Sequence, residues 1–81
     1  MFTLLYSMHN EICKENYSTL DDAIYYHQLF SDSKHSCIGI IETETCTAYF
    51  LNGTSENELK LEIEKQNFLI KNTKSFEYPE E

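Results

Sequence analysis

Ser55-Glu56-Asn57-Glu58-Leu59-Lys60-Leu61-Glu62-Ile63-Glu64-Lys65 can be read as a strand or as a helix, and the choice settles the fold. Leu59, Leu61 and Ile63 alternate with Lys60, Glu62 and Glu64, which is the period of a half-buried strand. Its flanks say otherwise. Ser55 and Glu58 form the S-x-x-E capping box, whose two side chains satisfy backbone N–H groups that the first helical turn leaves unpaired. The run is dominated by Glu, Lys and Leu, which lose little rotamer freedom in a helix, and Asn67 tolerates the left-handed conformation of a helix C-terminus. A helix is therefore expected, with Leu59, Ile63 and Ile70 on one face and Leu61 and Phe68 behind.

Upstream, Cys37–Glu42 and Thr45–Leu51 are β-rich runs separated by Thr43-Glu44. A two-residue loop would pair Ile41 with Cys46, Gly39 with Ala48 and Cys37 with Phe50; a four-residue loop would shift these pairs and keep the hairpin. Gly39 and Ala48 would open a shallow trough for the first helix. The opposite face, Ile38, Ile40, Tyr49 and Leu51, is more apolar than a solvated sheet face usually is, so it is a candidate interface between two copies of the chain.

In the first half, Phe2, Leu4, Tyr6 and Met8 alternate with Thr3, Leu5, Ser7 and His9 as in a half-buried strand. His9-Asn10-Glu11 reads as a turn, and Ile12–Glu15 as a short partner strand. Ser18 or Thr19 then caps a helix whose first turn carries Asp21 and Asp22, where the helix dipole favours negative charge. Leu20, Ala23, Ile24, His27 and Phe30 recur at helical spacing and face the core, flanked by Tyr25, Tyr26 and Leu29. The polar run Ser31-Asp32-Ser33-Lys34 ends this helix, Asn52-Gly53 makes a turn, and Phe68–Tyr78 reads as a short edge strand with an irregular tail. The expected fold is α+β: one domain over 1–78 with an acidic tail at 79–81, a single-layer antiparallel sheet in the order β-β-α-β-β-α with a last edge strand, and both helices on one face.

Charge narrows the function. Fourteen Asp and Glu stand against six Lys and no Arg, a net charge of −8 on 81 residues. Such a chain repels phosphate backbones and anionic lipid and attracts basic partners, so direct nucleic-acid binding and membrane binding are not expected. A hydrophobic fraction of 41% sets it apart from disordered acidic tails, which lack the apolar area to offset chain entropy. Cys13, Cys37 and Cys46 are odd in number and form no CxxC pair, which suits reduced thiols in the cytoplasm. Met1–Met8 has neither the basic flank nor the apolar length of a signal peptide.

Three kinds of chemistry compete with simpler explanations. His35, Cys37 and Cys46, with Cys13 or His9, could supply zinc ligands, but their spacing lacks the close pairs of structural sites, so the cysteines read as small buried hydrophobes and no metal or cofactor is expected. A nucleophilic pair of one cysteine with His27 or His35 lacks a feature that would lower the thiol pKa. The carboxylates of Asp21-Asp22, Glu42/Glu44 and Glu62/Glu64 sit on exposed turns and helix faces rather than converging, so the chain does not read as an enzyme. The acid-rich stretch Glu42, Glu44, Glu56, Glu58, Glu62 and Glu64, against Lys60, reads as a docking surface for a protein with a basic surface. It is expected to occupy a site that otherwise receives nucleic-acid phosphates. Residue usage without Arg or Trp and rich in Lys, Asn, Ile and Tyr suits an AT-rich genome such as many phages carry, and a small inhibitor of host defence. The alternative is a self-associating accessory subunit built on the Ile38–Leu51 face.

Overall fold

The structure, a computed structural model, describes residues 1–31 and 35–79. Asp32 to Lys34 of the expected helix stop, and Glu80 and Glu81 of the expected tail, lie outside the described residues. The order of elements is β1 (Phe2–Met8), β2 (Glu11–Tyr17), α1 (Leu20–Phe30), β3 (His35–Glu42), β4 (Thr47–Leu51), α2 (Glu56–Lys65) and β5 (Asn72–Phe76). The fold is α+β, as the sequence pattern indicates, with a five-stranded sheet ordered β2-β1-β3-β4-β5.

Local chemistry explains the boundaries. His9 and Asn10 both have positive φ, 52° and 65°, the two left-handed residues of the tight turn that matches the twist of a β1–β2 hairpin. The Thr19 hydroxyl caps α1 by accepting the Asp22 N–H at 3.1 Å. The Ser55 hydroxyl accepts from the Glu58 N–H at 3.5 Å at the start of α2, and Asn67 follows that helix at φ 67°. The contested stretch is thus helical, and its strand-like alternation breaks at Leu61, which is 61% exposed while Leu59 and Ile63 are buried.

Two expectations about the sheet are corrected. β5 joins β4 in parallel, from Thr47↔Asn72 to Leu51↔Phe76, so the sheet is mixed. The helices also lie on opposite faces rather than one. α1 seats Ala23 on Leu4, Tyr6, Ile40, Tyr49 and Phe76; α2 seats Leu59 and Ile63 on Leu5, Ile41 and Ala48. Topology supplies the reason. β2–α1–β3 and β4–α2–β5 are both crossovers between strands of like direction, and both step toward the β5 side of the sheet. β3 and β4 run antiparallel, so the second crossover starts from a strand pointing the other way. A right-handed connection on a reversed strand must pass behind the sheet when the first passes in front. β1, at the junction of the two cores, is accordingly buried on both faces, with Leu4 and Leu5 both at 0% exposure.

The β3–β4 hairpin has a four-residue connection, Thr43 to Cys46, and pairs Ile41 with Ala48 and Ile40 with Tyr49. Cys46 sits in that turn at φ 55° rather than in the strand. The trough at Gly39 exists, but α2 fills it instead of α1: a Cβ at Gly39 would lie 2.9 Å from Leu59 Cδ1 and 3.1 Å from the Tyr49 carbonyl oxygen. Gly39→Ala is expected to push α2 off the sheet and lower stability by about 1–2 kcal/mol, read as a reduced urea midpoint at unchanged slope. An unchanged midpoint would mean that α2 yields without cost.

Candidate functional site

The six carboxylates expected to make one docking surface are divided by the sheet. Glu42 points to the α1 side, where its Oε2 accepts from Thr45 Oγ1 at 3.0 Å and from the Tyr49 hydroxyl at 3.4 Å. Burial, then the neighbouring Glu42 charge, raises the Tyr49 hydroxyl pKa above its ordinary value, so Tyr49 stays a donor to that carboxylate. Glu44 lies in the hairpin turn, 3.9 Å from the N-terminal ammonium. The other four belong to α2 on the far face. Glu56 accepts a hydrogen bond from Thr73 Oγ1 on β5, and Glu62 sits 3.7 Å from Lys65. Glu58 and Glu64 are exposed on the flanks of the outward-facing Leu61.

The face offered for self-association is core. Ile40 is 0% exposed and Tyr49 is buried beside it beneath α1, with Leu51 packed against the same cluster. Ile38 falls where the β1–β3 register shifts between Leu5 and Tyr6, and it packs toward the α2 side. A four-residue apolar face read from alternation is therefore split by one bulge and covered by one helix.

The sheet ends show what the cysteines and histidines do. Cys46 is in the turn at the far end of β3 from His35 and Cys37, while Cys13 and Cys37 flank Tyr6 from β2 and β3. Among the described residues no three side chains are placed to hold a metal ion. Cys37 Sγ donates to the main-chain carbonyl of His27 at 3.4 Å, a contact that uses a thiol proton. The His27 ring is buried edge-on to Phe76, and its Nδ1 is 2.7 Å from the Tyr78 hydroxyl. Tyr78 also lies 2.8 Å from Ser31 Oγ, which donates to the His27 carbonyl at 2.7 Å. These groups line an open cavity of about 450 Å³ at this end of the sheet, together with His35, Leu51 and Thr54. Desolvation by burial lowers the His27 pKa from 6.5 to about 4, so near neutral pH the ring is uncharged and serves as a structural tie between α1 and the residues after β5.

A surface the sequence reading placed only as flanking lies on the outside of α1. Tyr25 is 53% exposed, Leu29 50% and Tyr26 37%. Tyr26 stacks on Tyr17 of β2 with ring centroids 4.8 Å apart and planes 10° from parallel, and Tyr25 meets Tyr26 edge-on at 5.2 Å. Glu15 shares the β2 face with Tyr17 and accepts from the Tyr6 hydroxyl at 3.5 Å. Tyr17 has its hydroxyl pKa raised by burial, and then by Glu15 and Tyr26. The signal for this surface was present: Asp22, Tyr25, Tyr26 and Leu29 are spaced i, i+3, i+4 and i+7, a second stripe on the eleven-residue helix whose first stripe enters the core. No protein family, curated protein or solved structure matches this chain.

Proposed function

We propose that this chain is a small acidic protein-binding module of the cytoplasm that occupies the basic surface of a nucleic-acid-handling protein, stoichiometrically and without a catalytic step, and so inhibits or regulates it. The observation that carries this reading is the outward placement of the acids: Glu11, Glu15, Asp21, Asp22, Glu44, Glu58 and Glu64 are all exposed, on β2, α1, the β3–β4 turn and α2. With a net charge of −8, such a surface creates a field that draws a basic protein from a distance and disfavours nucleic acid. Its acids sit on both sides of the sheet, so the field belongs to the whole small body rather than to one hairpin and helix. Size, acidity and residue usage suit a phage or mobile-element inhibitor of host defence.

The test is capture from host lysate by the tagged chain, followed by two elutions. Duplex DNA added at constant ionic strength should release the captured protein, because phosphates and carboxylates compete for one basic surface. Raising salt from about 50 to about 500 mM should release it as well. A complex that resists both treatments contradicts the proposal.

A further inference from the structure

Resting on that reading, we infer that the outer face of α1 is the docking surface, and that Tyr17, Tyr25, Tyr26 and Leu29, bordered by Asp22 and Glu15, grip lysine or arginine side chains of the basic partner. Two observations lead there, and the chemistry of tyrosine agrees with them. Tyr25 and Leu29 are half exposed although α1 already buries a stripe in the core and is tied to β2 by the Tyr17–Tyr26 stack, so these two outward residues are not needed for its seat. The face is also pre-ordered, because the Tyr17–Tyr26 stack and the edge-on Tyr25 fix the rings before any partner arrives, which reduces the ordering cost of binding. Tyrosine is enriched at the centres of protein interfaces, and its ring face attracts a cation.

Charge selects the occupant. A second copy docked on this face would bring together two bodies of charge −8 and set Asp22 and Glu15 against like acids. A cationic partner instead finds the ring surface of Tyr25 and Tyr26 that the stack leaves exposed, with carboxylates at the margin. Asp22 precedes Tyr25 and Tyr26 by three and four residues on the same helix, and Glu15 precedes Tyr17 by two on β2, so both acids are neighbours of the rings. The long stems of lysine and arginine suit contact with Leu29.

The test uses the full chain and a nona-arginine peptide as the probe, at low salt. Amide and side-chain NMR shifts should concentrate on residues 15–17 and 22–29. Tyr25→Ser with Leu29→Ser should weaken binding about tenfold without altering the fold, since both residues are half exposed. Tyr25→Phe should bind as the parent does, and Glu58→Gln with Glu64→Gln should cost less than the serine pair. Shifts confined to α2, with the serine variant binding normally, would overturn this docking site and leave the basic-partner reading intact. An absence of binding even at low salt would overturn both. Concentration-dependent self-association of the free chain, abolished by the serine pair, would replace the basic occupant by a second copy.

Discussion

Ile40→Glu severely destabilises the protein. Ile40 is fully buried on β3, between Leu4 of β1 and Tyr49 of β4 and under Ala23 of α1. Removing an isoleucine side chain from such a place costs about 2–5 kcal/mol in truncation series, and the carboxyl put there must remain charged without a partner or take up a proton. The total expected loss exceeds about 4 kcal/mol, against a whole-protein stability of about 4–12 kcal/mol for a chain of this length. Circular dichroism and urea titration read the result. The matched control is Leu61→Glu on the outward side of α2, expected to change stability by less than about 0.5 kcal/mol. The pair separates two architectures: were Ile40 on an open face, the glutamate would leave a folded monomer.

Acid is expected to weaken the fold through His27. With the folded pKa of His27 lowered to about 4 and an unfolded value of 6.5, the unfolded chain binds the proton more readily than the folded one between those limits. Stability therefore falls as pH drops from about 6.5 toward 4, at up to about 1.4 kcal/mol per pH unit and about 3 kcal/mol in all, and is fully retained above 6.5. His27→Phe keeps a ring against Phe76, gives up the bond to Tyr78, and should remove most of the slope between pH 6.5 and 4.5. A slope of unchanged size in the phenylalanine variant would place the titrating group elsewhere.

Local signals in the sequence were specific where a backbone group had to be satisfied. Ser18-Thr19, of which Thr19 is the cap, and Ser55 marked both helix starts, and His9-Asn10-Glu11 marked the first hairpin, because caps and tight turns are decided within a few residues. The side of the sheet that each helix takes was harder to read, since it depends on β5 pairing in parallel with β4 across an intervening helix, a contact between distant residues. Once that pairing is known, handedness dictates opposite faces. The apolar character of Ile38, Ile40, Tyr49 and Leu51 then has a plain cause. Those residues belong to a sheet covered on both sides, and continuous rather than alternating hydrophobicity is the mark of such strands. Leu5 beside Leu4 carried the same message in β1. The aromatic shelf on α1 escaped because Tyr is amphipathic, and the same rings can lie against a core or outside it.

Charge-driven recognition is read out by the association rate of the chain with its captured partner, measured from about 50 to about 500 mM salt. Electrostatic steering acts on encounter and is screened once charges stand more than a Debye length apart, about 10 Å at 0.1 M. The association rate should fall at least about tenfold across the range while the dissociation rate changes much less. An association rate that stays flat, with affinity carried entirely by dissociation, would contradict the claim.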